Sequence, residues 1–168
     1  SSAVEASTPD EEIALLASTD LRNVAVIGAD FDDAFELISG SSVLRSQDGE
    51  TGEMSCSPED RTAGEPASIV LTHYAPNELR YSYKTDTERA AIFSEIYYPK
   101  GWKAWIEPAD TYGEVRNGHY QPTEDARTAD IFRADWMLRG VIVPEGEGQI
   151  IMRFEPDSYQ LGENVSRA

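Results

Sequence analysis

Cysteine, histidine and basic side chains are scarce in this chain. Its 168 residues include 1 Cys and 2 His, and 14 Lys or Arg stand against 31 Asp or Glu, which gives a formal net charge of −17. A single cysteine cannot form an intrachain disulfide, so the fold depends on packing. A surface this acidic repels phosphate backbones, and we therefore expect no nucleic-acid partner.

Long apolar runs are also missing. No stretch approaches the roughly 20 apolar residues that cross a bilayer, and the longest clusters, around Ile13–Ala17 and Val24–Ile27, have the size of core segments. The first residues contain neither the basic nor the apolar region of a signal peptide, and the chain does not begin with Met. We therefore expect it to be part of a longer protein.

The residues that are present predict a mainly β fold in one domain, 1–168. A short N-terminal helix, capped by Thr8 or Asp10 and buried through Ile13 and Leu16, comes before most of the strands. Closely spaced strands with one terminal helix favour a β-sandwich of the jelly-roll or immunoglobulin-like type. The predicted strands, rich in β-branched and aromatic residues, are Arg22–Ile27, Ser68–Tyr74, Leu79–Lys84, Ala90–Tyr98, Trp102–Ile106, Ala129–Trp136, Leu138–Val143 and Gln149–Glu155.

Two stretches have the composition of loops. Residues at about 40–66, which include Cys56, and residues at about 108–128 are rich in glycine, proline and acidic side chains. We expect a long loop or hairpin excursion in the first and a turn-rich loop in the second. Residues 144–148 contain one proline and two glycines, which predicts a hairpin loop between the last two strands.

The sequence contains no catalytic or cofactor motif. Among 31 acidic residues, neighbours such as Asp32 and Asp33 arise by chance, and a solvated acidic face explains them. His73 and His119 have only Cys56 as a further soft ligand, so we predict no metal site, although calcium on so acidic a surface stays open. No nucleophile elbow, phosphate-binding loop or dinucleotide fingerprint is present. We expect no catalytic residue and no cofactor.

The aromatic residues are the most suggestive feature. Tyr97, Tyr98, Trp105 and Arg139, with Trp102 close by, form a candidate ligand-binding set, because flat aromatic faces suit the apolar C–H face of a sugar ring. The competing interpretation is that these large side chains are core material. Alternation along the strand predicts Trp102 inside the sandwich and Trp105 outside.

Three segments carry a resemblance to a known family. They are Phe93–Ile106, which contains Tyr-Tyr-Pro-Lys-Gly-Trp, Leu138–Gly146, which begins Leu-Arg-Gly-Val, and Phe154–Pro156. In order and composition they resemble the C-terminal soluble region of the YfhO family of bacterial multi-spanning membrane proteins. Weaker likeness upstream extends the resemblance over most of residues 9–165. The chain departs from the family pattern at residues 40–66 and 108–128, which are longer here.

The resemblance implies an extracytoplasmic location and a partner, the membrane-spanning part of the same chain. Members of the family resemble glycosyltransferases that use polyprenyl-phosphate sugars, and residues 158–166 would lead into a last membrane helix. The domain would position a glycan or a lipid-linked sugar through the aromatic set. The catalytic acids of such enzymes lie in other loops, so the resemblance implies no catalytic residue in this chain.

Two other functions remain open at this stage. One is a structural or assembly domain that binds no sugar and packs on the rest of its own chain. The other is a free-standing secreted binding module, which requires a native protein of this length. Exposure of the aromatic side chains distinguishes a binding platform from core material.

Overall fold

The computed structural model describes residues 3–31, 35, 36, 38, 42–46, 67–111, 113–116 and 118–156. These residues form a mainly β fold with two large sheets and a short N-terminal helix, as the sequence predicts. Cys56 and the segment 158–166, on which the sequence raised expectations, lie outside the described residues.

The N-terminal part contains two short strands and the predicted helix. Strand β1 spans Ala3–Ala6, helix α1 spans Pro9–Ser18 and strand β2 spans Ala25–Gly28. Thr8 caps α1 by accepting a hydrogen bond from the backbone N–H of Glu11 at 3.2 Å. This cap was one of the two predicted, and it satisfies a backbone donor that the first helical turn leaves free.

The fully buried side chain of α1 is Glu12, whereas the sequence predicts burial of Ile13, which is exposed, and of Leu16, which is half-buried. Ile13 is 51% exposed, while Glu12 is 1% exposed. The Glu12 carboxylate lies 3.1 Å from Nη2 of Arg133 and accepts a hydrogen bond from the N–H of Trp136 at 2.9 Å. These partners compensate the desolvation of the carboxylate, so the helix is attached through an ion pair that hydrophobic periodicity does not register.

The remaining strands follow from residue 42 onwards. Six of these eleven strands match a predicted segment within two residues, and the last strand begins three residues before its predicted start. Two short strands and most of a third lie in the stretch expected to be a loop at 108–128, and one lies within 40–66. The eleven strands are β3 Ser42–Arg45, β4 Ser68–Ala75, β5 Glu78–Thr85, β6 Arg89–Ile96, β7 Trp102–Pro108, β8 Glu114–Arg116, β9 His119–Gln121, β10 Arg127–Ala129, β11 Ile131–Ala134, β12 Leu138–Val143 and β13 Gly146–Phe154.

The strands pair into two large sheets and one small one. The first sheet has the order β1-β2-β11-β12-β6-β3, with parallel pairs at both ends, β1 with β2 and β3 with β6. The second sheet has the order β10-β7-β13-β5-β4 and is antiparallel throughout. Strands β8 and β9 form a separate hairpin.

The predicted hairpin between the last two strands is wrong. Strand β12 pairs with β11 and β6 in the first sheet, whereas β13 pairs with β5 and β7 in the second. The residues between them therefore carry the chain from one sheet to the other. Glycine and proline indicate a turn at this point, but they do not indicate whether the strands on either side of it pair with each other.

The main core lies between the two sheets. Along β5 the side chains alternate as predicted, and Tyr81 packs against Phe93 of β6 with ring centroids 4.6 Å apart. The other face of the first sheet is also covered, since Ile92 and Phe132 pack with Ile38 and the partly buried Phe31. The core between the sheets consists of Leu44, Ile69, Leu79, Tyr81, Tyr83, Ala91, Phe93, Ala104, Val141, Val143, Ile150 and Met152.

Candidate functional site

A cleft of about 260 Å³ lies where the chain leaves the second sheet and enters the first. Three segments form it: the connection between β6 and β7, the first half of β7, and the junction between β10 and β11. Its aromatic walls are Tyr97, Tyr98, Trp102 and Trp105. Three of these four residues belong to the predicted ligand-binding set, and the fourth was named beside it.

Strand β7 places its two tryptophans on opposite faces. Trp102 packs against the core between the sheets, and Trp105 lies on the outer face, as alternation predicts. Strand β10 pairs with β7 only as far as Ala129 opposite Ala104. Among the described residues, the start of β7 therefore lacks a neighbouring strand on that side, and the cleft opens there.

Tyr97 and Tyr98 enter the cleft from the connection that follows β6. The N–H of Tyr97 donates to the carbonyl of Met137 at 2.6 Å, and its ring meets Phe31 edge to face at 5.5 Å between centroids. Tyr98 is 57% exposed, and its ring centroid lies 6.4 Å from that of Phe154. Tyr97, Trp102 and Trp105 are half-buried. None of the four aromatic side chains is therefore fully buried in the core.

Arg139, the fourth member of the predicted set, lies behind the cleft and does not line it. It is 3% exposed, and its Cζ lies 4.0 Å from the centroid of the Trp102 ring. Arg139 has the same strand parity as Val141 and Val143, which face the core, so β12 directs it into the sandwich. Arg139 therefore does not face the cleft, and its guanidinium packs against the Trp102 ring from the core side.

The guanidinium of Arg139 has few polar partners. It donates to the carbonyl of Ile96 at 3.0 Å and to Sδ of Met152 at 3.7 Å, while its buried Nε has no partner among the described residues. Burial lowers the pKa of Arg139, and the charge of Glu95 opposes this shift. Contact with the Trp102 ring adds to the hydrogen bond with Ile96 in compensating this buried cation.

Trp105 is supported by a second arginine. Cζ of Arg153, which is 9% exposed, lies 5.1 Å from the centroid of the Trp105 ring. Arg153 also donates to the carbonyl of Tyr120 and forms an ion pair with Glu155. Tyr120 belongs to the hairpin β8–β9. This hairpin therefore holds the Arg153 guanidinium in place against the Trp105 ring.

Polar groups lie around the aromatic walls. Lys103 lines the cleft, but its Nζ lies 3.2 Å from a carboxylate oxygen of Glu155. Asp130 and Thr128 also line the cleft and are exposed. Asp130 forms no ion pair with the part of the chain that the structure describes.

Sequence reasoning missed Asp130 and Thr128. Nothing local distinguishes Asp130 from the other members of a set of 31 acidic residues. Its position follows from the fact that β10 and β11 belong to different sheets, which makes Asp130 the link between them. The sequence would have indicated this position of Asp130 only through a strand prediction that ended one strand before Asp130 and began the next one after it.

The turn between β11 and β12 adjoins the cleft through Met137. Its residues Asp135 and Trp136 have positive φ angles of 50° and 70°, which residues other than glycine rarely adopt. The Asp135 carboxylate accepts hydrogen bonds from the N–H of Val26 at 2.8 Å and from Nη1 of Arg45 at 2.6 Å. These contacts stabilise a turn that would otherwise be strained.

The two histidines of the chain approach the same carboxylate. Nε2 of His73 lies 4.0 Å and Nδ1 of His119 lies 3.6 Å from oxygens of Glu78, which is 2% exposed. Within the described ranges, however, no group of three His, Cys, Asp or Glu side chains could hold a metal ion. This cluster ties hairpin β8–β9 to the outer face of the second sheet.

Comparison with known proteins adds no assignment. No known protein family matches the chain, and neither a curated protein nor a solved structure matches it. Where the structure describes the chain, it contains no helix that is both long and apolar enough to cross a membrane.

Proposed function

We propose that this domain binds a glycan and that one sugar ring stacks in the cleft. The observation that carries the proposal is the convergence of Tyr97, Tyr98, Trp102 and Trp105, from two adjacent segments, around one cleft of about 260 Å³. The face of an aromatic ring is negative, so it attracts the weakly positive C–H groups on the apolar face of a pyranose.

The surroundings of the rings support the same function. Exposed hydrogen-bonding groups, the Asp130 carboxylate and the Thr128 hydroxyl, border the aromatic walls and match the hydroxyls at the edge of a sugar ring. A few polar groups around an aromatic surface fix the orientation of a ligand, while the rings supply contact area. The proposed role is binding, and we assign no catalytic residue, cofactor or metal to this chain.

On the resemblance to the YfhO family, we place this binding domain in a larger bacterial membrane protein. It would lie at the extracytoplasmic face, and its partner would be the membrane-spanning part of the same chain. There it would present a glycan or a lipid-linked sugar to a glycosyltransferase-like centre elsewhere in the protein. This larger role depends on the resemblance, whereas sugar binding depends on the cleft.

A second candidate function is assembly without sugar binding. Ile96 and Met137 are 67% and 50% exposed, and they lie near Tyr98, which is 57% exposed. The pairing of Leu138 with Ile96 and the hydrogen bond from Tyr97 to Met137 bring these apolar side chains together. Adjacent exposed apolar residues favour a protein contact at this end of the sandwich.

A titration with matched tyrosine variants tests the proposal. We expect glycan binding to change the tryptophan fluorescence and the chemical shifts of the indole N–H groups of Trp102 and Trp105. Tyr98→Ala should weaken binding about tenfold, since one lost stacking contact is worth roughly 1.4 kcal/mol. Tyr74→Ala is the control, because Tyr74 is 67% exposed on β4, away from the cleft. Equal affinity of the two variants would contradict the cleft as the binding site, and no response to glycans would contradict sugar binding and favour the assembly function.

A further inference from the structure

Each tryptophan of the cleft already has an arginine guanidinium close to its ring. Cζ of Arg139 lies 4.0 Å from the Trp102 centroid, and Cζ of Arg153 lies 5.1 Å from the Trp105 centroid. Both arginines are at least nine-tenths buried and neither lines the cleft, so each guanidinium supports its indole from outside the cleft. A cationic ligand on the Trp102 ring would be repelled by Arg139, whose buried charge solvent screens poorly, whereas Arg153 is paired with Glu155.

The charged side chains in the cleft lining are one cation and one anion, Lys103 and Asp130. Lys103 shares the single carboxylate of Glu155 with Arg153, whereas the exposed carboxylate of Asp130 has no ion-pair partner among the described residues. The whole chain has a net charge of −17, which disfavours the approach of an anionic ligand. An anionic ring such as a uronic acid would therefore meet repulsion at Asp130.

We propose that the ligand of the cleft is a neutral sugar ring, and that Asp130 accepts hydrogen bonds from two of its neighbouring hydroxyls. This inference rests on the proposed function and specifies its ligand. A carboxylate offers two oxygens in one plane, so it can accept from two donors at once, and such charge-assisted bonds are stronger than neutral ones. The aromatic walls hold the face of the ring, and Asp130 holds its edge.

An array of oligosaccharides in three charge classes tests this inference. It presents neutral hexose oligomers, uronic-acid oligomers and glucosamine oligomers, and the domain is applied at low and at moderate salt. We expect binding to the neutral class, with at least tenfold weaker binding to both charged classes. Asp130→Asn should weaken binding of the neutral class about tenfold, and Asp110→Asn, an exposed acid outside the cleft, should leave it unchanged.

A charge-reversal variant helps to distinguish an error in the charge class of the ligand from an absence of sugar binding. Asp130→Lys should lose the neutral ligand and gain affinity for uronic-acid oligomers. If the unaltered domain prefers uronic-acid or glucosamine oligomers, the inference about a neutral ring is overturned while sugar binding stands. If no class binds, the proposed function itself is overturned. If the neutral class binds equally to the Asp130→Asn variant, Asp130 does not hold the ring. Circular dichroism of each variant checks that the fold is unchanged.

Discussion

Glu107 has no exposed surface, although it lies on the outer face of β7. One of its carboxylate oxygens accepts a hydrogen bond from the Tyr120 hydroxyl at 2.7 Å, and the other accepts from the N–H of Thr123. The Tyr120 hydroxyl in turn accepts from the N–H of Gly113 at 2.6 Å. A buried carboxylate is tolerated when both oxygens are hydrogen-bonded, and here these bonds attach hairpin β8–β9 to the sheet.

The alkaline stability of the protein should depend on Tyr120. Burial raises the pKa of Tyr120, and the hydrogen bond to Glu107 raises it further. Because the pKa is higher in the folded state, this group stabilises the fold below about pH 10, and the contribution is lost as the pH rises through the raised pKa. We expect the free energy of unfolding to fall above about pH 10, and to fall less steeply in Tyr120→Phe.

Urea unfolding between pH 7 and pH 11 measures this effect. At pH 7, Tyr120→Phe should lose about 1–3 kcal/mol, because Glu107 loses a partner in a buried site. Tyr83, whose pKa burial also raises, should keep part of the alkaline decline in the variant. Tyr74→Phe, at an exposed position, should match the unaltered protein. An alkaline decline of the same steepness with and without the Tyr120 hydroxyl would contradict this account.

At the scale of elements, the turn between β11 and β12 connects β11 to β2, a strand with which β11 hardly pairs. Strands β2 and β11 share a single register pair, Ala134 with Ile27. The Asp135 carboxylate adds hydrogen bonds to Val26 and Arg45, and the N–H of Asp135 donates to the carbonyl of Val26 at 2.8 Å. The turn therefore connects β11 with β2 and β3 through side-chain contacts.

Substitution of Asp135 should separate its charge from its hydrogen-bonding role. Asp135→Ala should destabilise the protein by about 3 kcal/mol, since it leaves Arg45 without its partner in a largely buried site and places alanine at a positive φ. Asp135→Asn should cost less, because asparagine tolerates this backbone conformation and can still accept from Val26. Urea unfolding and hydrogen exchange of the Val26 amide measure both effects. Equal losses in the two variants would show that only the charge matters.

At the scale of the whole molecule, the first sheet has two buried faces. One face packs on the second sheet, and the other packs on residues of the N-terminal part. The net charge of −17 belongs to the whole chain, and self-repulsion between molecules of this charge favours solubility. The aromatic cleft combines half-buried and exposed rings with the carboxylate of Asp130, which has no ion-pair partner among the described residues.

The size and location of the native protein test the larger role that we proposed. An immunoblot of membrane and soluble fractions from the source cells should show a membrane-bound band much larger than the 18.6 kDa of this chain. Known integral and soluble proteins of the same cells serve as fraction markers. A soluble band near 18.6 kDa would contradict the resemblance and leave a free-standing binding module, for which the cleft experiments still hold.

Patterns that depend on near neighbours in the sequence were predictable. The cap at Thr8, the alternation along β5 and the opposite faces of Trp102 and Trp105 follow from local geometry, and the structure confirms them. The prediction of the three cleft aromatics Tyr97, Tyr98 and Trp105 also relied on local composition. The position of Arg139 behind Trp102 did not follow, because it depends on two strands that are far apart in the chain.

The sequence by itself determined that this chain forms strands, which faces those strands bury, and that its surface is acidic. Only the tertiary structure decided that β12 and β13 lie in different sheets, that Glu12 is buried against Arg133, and that Asp130 borders the cleft. The physical reason is that periodicity fixes the direction of a side chain relative to its own strand or helix. Which distant group lies in that direction depends on how the sheets pair and pack, and a buried charge is stable only where such a group is found.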